Sequence, residues 1–480
     1  MKYRFKTTPF KHQYSAWDKS HNKKYYALFM EMGTGKTKVI IDTGAYLYDN
    51  GHIEAMLIFG NKGSYTNWNT DELPLHMPEH ITYYDTYWDS SARSELKATY
   101  TRLFKNGVLE LKIFVMNIEA LAHARSYEIA EKFVRNYKTL VVVDESSTIK
   151  NIKAKRTKAA LKLGVQATAR RIMTGSPITK NPLDLYSQCE FLKPGLLGFT
   201  SYYSFRSHYA ELIDMKINQG MRSFKKITGF KNLSQLTETL NSFAFIIKKQ
   251  DCLDLPPKIY ETYKVEMTPE QSQFYSDLKR KSLIEIEELG TQVSTKTILT
   301  KLLRLHQLVC GHLIDDEGNV INVKNNRLSS LCEILDECSG KAIIWANYRA
   351  DIHAITKKLT DKYGEDCVCT YFGDTSQADR DRARDGIQNG NMRFLVGNPQ
   401  TGGYGITLTA VNTVIYYSNN FDLEKRMQSE DRAHRIGQKK SVTYIDLYCP
   451  KTIDEKILLA LKNKKDMADT VIISNWREYF

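Results

Sequence analysis

The stretch YALFMEMGTGKTKVIIDTGAYLYD, residues 26–49, runs from an apolar segment through a glycine turn into an amphipathic continuation. Strand, turn and helix in that order form the setting a phosphate-binding loop requires. Gly33 and Gly35 let backbone N–H groups converge on phosphate oxygens, and the helix that follows adds its N-terminal dipole. On this reading Met32, Gly33, Thr34, Gly35, Lys36 and Thr37 enclose the phosphates of ATP. Lys36 reaches the β and γ groups, and the Thr37 hydroxyl is a ligand for Mg²⁺. Met30 stands where the full G-x4-GK[ST] pattern has its first glycine.

Working outward, TLVVVDESS at 139–147 supplies a partner for that loop. A buried strand ending in two carboxylates brings both to the sheet edge that carries the phosphate loop. Asp144 is expected to hold Mg²⁺, mainly through water, and Glu145 to orient and activate the attacking water. The same texture recurs along the chain. AMLIFG (55–60), KIFVMN (112–117) and RIMTGS (171–176) belong to a first series of apolar runs. KAIIWAN (341–347), RFLVGN (393–398), TVIYYSN (413–419) and VTYIDLY (442–448) form a second. Continuous rather than alternating hydrophobicity marks strands buried on both faces of a parallel sheet, so two series predict two α/β lobes.

Residues 181–322 read differently, as helical stretches with apolar residues three and four apart, SQLTETLNSFAFII and TPEQSQFYSDLKRKSLIEIEELG among them. Thr268 followed by Pro269 has the form of a helix N-cap and first turn. LPP at 255–257 breaks regular structure. The expected organisation is therefore a first lobe over 1–253 with a helical insertion near 181–243, and a second over 254–480 with one near 268–322.

Composition narrows the class. The 480 residues suit two or three domains, and no apolar run approaches the length needed to span a bilayer. Eight scattered cysteines give poor zinc spacing, so neither a membrane nor a zinc role is expected. A net charge of +13 suits a polyanionic partner. Basic residues cluster at Arg222, Lys225, Lys226 and Lys231, with Phe224 and Phe230 interleaved as in surfaces that hold phosphate and stack bases.

Taken together, these motifs resemble those of helicase superfamily 2, and more narrowly of the SNF2-type DNA translocases, built on two RecA-like lobes. DESSTIKN occupies the place of that family's second motif, with Ser146 and Ser147 replacing Ala-His. TGSPITKNP, KKQDCLDLPPK, LLRLHQLVCGHL, TGGYGITLTAVNTVI and DRAHRIGQ resemble further family segments, and the matches run from Gln13 to about Ile457. Of these, DRAHRIGQ (431–438) is the most discriminating, because other branches usually lack the IGQ extension.

The resemblance implies further roles. Gln13 would read adenine, Gly405 would lie beside the nucleotide, and Gln428 would open the motif that carries Arg432 and Arg435. Those two arginines, expected one helical turn apart, would enter the ATP site from the second lobe, with Arg435 as the arginine finger. Strand-end positions Asn61, Lys62, Asn117, Asn347, Arg349, Thr401, Gly402 and Gly403, with Arg222, Lys225 and Lys226, would touch nucleic-acid backbone. Trp68 lies in NWNTDE (67–72), which resembles a family NWxxE pattern, and would either pack or bind. The function implied is that of a Mg²⁺- and ATP-dependent DNA translocase working on duplex or branched DNA. It is expected to act as a monomer in the cytoplasm of a bacterial or phage-infected cell. A strand-separating helicase, or a non-catalytic scaffold switched by ATP, are the alternatives. The Ser146-Ser147 replacement puts the coupling between motifs in question.

Overall fold

The computed structural model describes residues 3–62, 65–89, 95–105, 107–179, 181–216, 223–289, 295–315, 317–402 and 406–472. Arg222, Gly403 and Gly405 lie outside these described residues. The chain forms two compact units, with the main boundary between Asp254 and Leu255 and residues 466–472 grouped with the first unit.

The first unit contains, in chain order, β1 (Tyr25–Met30), β2 (Ala55–Gly60), β3 (Tyr83–Tyr87), β4 (Leu111–Asn117), β5 (Thr139–Asp144), β6 (Ala169–Met173), β7 (Ala210–Lys216), β8 (Ser223–Phe230) and β9 (Ala244–Ile247). Seven of them form one sheet in the order β3-β4-β2-β5-β6-β1-β9. Every ladder in it is parallel. The apolar runs explain this. Ala55, Leu57 and Phe59 of β2 join one core cluster while Met56 and Ile58 join another, so alternate side chains enter two separate cores on opposite faces. A sheet covered on both faces is the setting in which parallel strands occur. Its strands all run the same way, so the loops after β1, β5 and β6 emerge at one edge.

Two features differ from the expected helical insertion. Helices Leu185–Leu192, Tyr202–Tyr209 and Leu233–Asn241 share the segment with an antiparallel hairpin of β7 and β8. Leu212 and Ile227 sit opposite each other in that hairpin and pack on the core, whereas Lys225 and Lys226 are exposed. A period of two, not three and four, therefore governs this stretch. Phe230, expected to stack on bases, packs against the same core. The stretch SQLTETLNSFAFII is also only half helical. Its last residues become β9, which pairs in parallel with β1, because Phe245 is buried there.

In the second unit β10 (Lys258–Lys264), β11 (His312–Ile314), β12 (Val320–Asn322), β13 (Ala342–Trp345), β14 (Val368–Tyr371), β15 (Phe394–Gly397), β16 (Thr413–Tyr416) and β17 (Val442–Tyr448) follow in sequence. Six of these strands form a parallel sheet ordered β10-β17-β16-β13-β15-β14. Strand β13 again feeds two cores, Ala342 and Ile344 into one, Ile343 and Trp345 into the other. Residues 268–322 contain the expected helices Pro269–Leu289 and Thr295–Cys310, the first capped by Thr268 Oγ1, which accepts from Gln271 N at 3.1 Å. They end in an antiparallel ribbon, β11 with β12, which the periodicity did not predict.

A buried arginine braces this unit. Arg327, 1% exposed, donates to Asp454 Oδ2 at 2.8 Å and to the carbonyls of Tyr417 and Leu447, each at 2.7 Å. Burial alone would raise the Asp454 carboxyl, but Arg327 and His306 together hold it well below the usual carboxylate range. Removing one partner of a buried pair leaves the other charge uncompensated, so Arg327→Met is expected to destabilise the unit by about 3–5 kcal/mol. Denaturant unfolding checks this. A depressed carboxylate stabilises above its unfolded value of about 3.9 and loses that contribution as pH falls below it, so the gap between variant and parent should shrink in acid.

Candidate nucleotide site and nucleic-acid interface

The phosphate loop leaves β1 at Met30 and enters the helix Lys36–Asp49. Gly33 and Gly35 have φ of 77° and 85°, a left-handed region that other residues enter at a cost. At Gly35 a Cβ would also lie 2.2 Å from Gln13 Nε2, so a side chain there would push the Gln13 amide aside. Gln13, 4% exposed on the helix Lys11–Ser20, is spent on this loop. Its Nε2 donates to Thr34 O at 3.1 Å and its Oε1 accepts from Phe10 N at 3.0 Å. The structure thus brings Gln13 to the loop as a brace on its backbone, beside the adenine-reading role expected of it. His12 Nε2 reaches the same Thr34 carbonyl at 2.8 Å. Lys36, 8% exposed, donates through Nζ to Met30 O at 2.9 Å, and Thr37 follows it at the helix start.

Asp144 closes β5, and Glu145 follows with φ of 53°, left-handed without being glycine. Such strain persists only where surroundings over-determine it, and it clusters at functional sites. The side chain is held too: Thr174, just past β6, donates through Oγ1 to Glu145 Oε2 at 2.9 Å. Thr174 is itself fixed, its N–H donating to Leu28 O of β1 at 3.2 Å. Next to it a Cβ on Gly175 would come within 2.9 Å of Met32 N, so the loop after β6 packs directly on the phosphate loop. Burial pushes the Asp144 carboxyl up to about 6, while Lys36 and the Trp68 indole favour its charged form. The anionic oxygens of Asp144 and the hydroxyl of Thr37 are the hard donors that suit Mg²⁺.

Ser146 and Ser147 are buried. Ser146 Oγ donates to Gln188 Oε1 at 2.7 Å, and Gln188 Nε2 donates to Pro177 O at 2.7 Å. With the Thr174–Glu145 bond, two side-chain links join DESS to TGSP. Thr174 had no role assigned from sequence; its place directly after an apolar run, in a strand-end TGSP, was the available signal.

In the second unit the helix Leu423–Glu430 ends before Arg432 and Arg435, which occupy turns rather than a continuing helix. Arg432 is buried. Its Nε donates to Gln428 O at 2.9 Å and its Nη1 to Ile406 O at 3.2 Å, so its fork braces the TGGYGITLT segment. Gln438 explains the IGQ extension. Its Nε2 approaches three carbonyls, Thr409 at 3.0 Å, Val411 at 2.9 Å and Ala433 at 3.1 Å, clasping the two motifs together. Arg435 is half-buried, and its carbonyl accepts from Gln438 N at 3.0 Å.

The positions expected on nucleic acid divide in two. Asn117 Oδ1 caps a short helix through Ala120 N at 2.8 Å, and Asn347 Nδ2 donates to Ser418 O at 2.8 Å, so both side chains serve local structure. Asn61 is buried, its carbonyl accepting from Tyr65 N. Thr401 and Gly402 lie in the short helix Pro399–Gly402. Lys62, Lys225 and Lys226 are exposed cations, and Arg349 is largely exposed while pairing with Asp374 at 3.0 Å.

Comparison with known proteins gives the family. The SNF2-related domain matches residues 16–313 and the Helicase conserved C-terminal domain residues 324–437. TATA-binding protein-associated factor MOT1 of Saccharomyces cerevisiae is 28% identical over 380 residues, which cover 69% of this chain and 20% of that protein. An uncharacterized ATP-dependent helicase of Mycoplasma pneumoniae is 27% identical over 342 residues, covering 70% and 31% respectively. The chain thus spans under a third of the length of either relative. A solved structure, the Sulfolobus solfataricus SWI2/SNF2 ATPase core in complex with dsDNA, aligns at 24% identity with a TM-score of 0.43, covering 98% of this chain and 94% of that one. With the SNF2-related domain spanning more than half of its length, the chain belongs to the SNF2-related family of helicase-type ATPases.

Proposed function

We propose that this chain is an ATP-dependent DNA translocase, moving along duplex or branched DNA to migrate junctions, remodel forks or displace bound proteins in a bacterial or phage-infected cell. The observation that supports it best is the Thr174–Glu145 bond. It holds a carboxylate on the loop next to the phosphate loop, which supports reading Glu145 as the water-activating base. Asp144 and Thr37 would hold Mg²⁺, which would supply charge neutralisation on the phosphates when bound. Lys36 binds the same phosphates as a point charge. Glu145 takes the proton of the attacking water, and Arg435 meets the charge that builds on the γ-phosphate. Exposed Lys62, Lys225, Lys226 and Arg349 grip DNA phosphates without reading sequence.

ATP turnover measured with single-stranded DNA, duplex, fork, four-way junction and RNA at one salt concentration tests the reading. Duplex or branched DNA should stimulate most, and equal rates without nucleic acid would overturn it. Displacement of a triplex strand without unwinding of a tailed duplex separates translocation from strand separation. Lys36→Ala removes charge-assisted bonds to the phosphates, each of about 1.5–3 kcal/mol, and should weaken ATP binding at least tenfold. Fluorescent-nucleotide titration of the folded variant measures this. The basic pair on β8 has its own signature. Each DNA phosphate that a cation neutralises adds about 0.9 to the slope of log K against log salt, so Lys225→Ala with Lys226→Ala should flatten that slope by about 1.8.

A further inference from the structure

Trp68 is buried, 3% exposed, in the core that lines one face of the first sheet. Burial explains the ring but not its polar edge. The indole N–H donates to Asp144 Oδ2 at 3.1 Å, across 76 residues of sequence. Elsewhere this chain buries indoles without such provision, since among the described residues Trp17 Nε1 and Trp345 Nε1 have no hydrogen-bond partner. Trp68 Nε1 is thus matched to a carboxylate, and to the one on which the metal reading rests.

The backbone that presents it is unusual as well. Residues Trp68–Glu72 form a single wide turn in which Leu73 N–H closes on Trp68 O, five residues back. Turns of this kind are rare and concentrate at functional sites. This one is pinned on several sides. Asn69 Nδ2 donates to Asp85 Oδ2 at 2.8 Å, Tyr65 OH to Trp88 O at 2.7 Å, and Tyr65 N to Asn61 O at 2.9 Å at the end of β2. A donor held this firmly removes one rotational freedom from a terminal carboxylate, whose χ2 is otherwise broad.

We propose that Trp68 is a positioning residue for Asp144, its N–H fixing the carboxylate in the rotamer that receives the Mg²⁺–nucleotide. The indole N–H takes one lone pair of Oδ2, and the lone pairs left on the carboxylate would serve the metal and its water. Outer-shell donors of this kind orient metal-holding groups, and their removal typically costs 10–100-fold in metal affinity. The inference rests on Asp144 being the metal-holding carboxylate and adds the residue that sets its direction.

The test is Mg²⁺ titration of fluorescent-ATP binding to the full chain, with Mn²⁺ binding followed by electron paramagnetic resonance as a second equilibrium readout. Trp68→Phe keeps the apolar contacts and deletes the donor. It should raise the half-saturating Mg²⁺ concentration about 10–100-fold, with ATPase kcat recovering at saturating Mg²⁺. A role in packing alone would lower the melting temperature and leave the Mg²⁺ dependence where it was, and that result would overturn the proposal. Should Trp68→Phe not fold, site-specific benzothienylalanine keeps the ring shape without an N–H and takes the same readout, with the same two outcomes. Asp144→Asn runs alongside. If Asp144→Asn binds metal and nucleotide like the parent, the metal reading of Asp144 fails and Trp68 fails with it. If Asp144→Asn loses the metal while the tryptophan variants match the parent, only the positioning role is overturned.

Discussion

Arg435→Ala is expected to lower DNA-stimulated kcat for ATP hydrolysis by about 10³–10⁵-fold while leaving ATP affinity within a few-fold of the parent. An arginine acting on charge that develops only in the transition state contributes to kcat rather than to ground-state binding. The turn that carries Arg435 is held by its neighbours. Glu430 accepts from Arg426 Nε at 2.9 Å and from Tyr260 OH at 2.7 Å, and Lys258 lies 3.3 Å from both Glu430 Oε2 and Asp431 Oδ1. Meanwhile Gln438 and Arg432 lock the turn that carries Arg435 to the segment around Ile406 and Val411. A fixed turn can present a guanidinium without a large entropic cost. Arg435→Lys should recover little, since an ammonium lacks the planar fork. Steady-state turnover with and without DNA, beside nucleotide binding, gives the answer. A loss below tenfold in Arg435→Ala would remove this residue from the transition state.

What the sequence disclosed follows from how far apart the cooperating residues lie. The β1 strand, its glycine turn and Lys36 are contiguous, so their physical logic is written in one stretch. The central strands were legible for the same reason: β2, β4, β5, β13 and β15 are continuous apolar runs, each buried on both faces. Strands that lack such runs were missed. In β14 buried and part-buried positions alternate, and β9 is a four-residue edge strand whose apolar residues continue the spacing of the preceding helix. The hairpin of β7 and β8 hid within a region read as helical because its period of two is masked by Lys225 and Lys226 side by side. Side-chain partnerships were the least legible. Nothing local in NWNTDE says that Trp68 meets Asp144, and nothing in IGQ says that Gln438 gathers three carbonyls. Those bonds exist only once parallel strands bring distant loops to one edge. Asn117 and Asn347 show the converse, since a strand-end asparagine suits a phosphate or a neighbouring backbone equally well, and only the fold chooses.

Glu145→Gln is expected to reduce kcat by about 10²–10⁴-fold and to leave ATP binding intact. Glutamine keeps the length, shape and acceptor oxygen of glutamate, so Thr174 Oγ1 retains its bond at the side-chain end. What disappears is the capacity to accept a proton from water. The strained φ of 53° at this position is a backbone property, unaffected by the exchange, so the folded state should survive with an unchanged melting temperature. A variant that binds ATP and fails to turn it over then isolates the proton-transfer step. Thr174→Val provides the complementary case, with the base present and its restraint removed. Its expected loss is smaller, since glutamate still samples the productive rotamer for part of the time. Were Thr174→Val to cost as much as Glu145→Gln, orientation would be the whole of Glu145's contribution. Were Glu145→Gln to stay within tenfold of the parent, the proton would have to leave by another route, and the reading of Asp144 and Glu145 as a divided pair, one for metal and one for water, would fall.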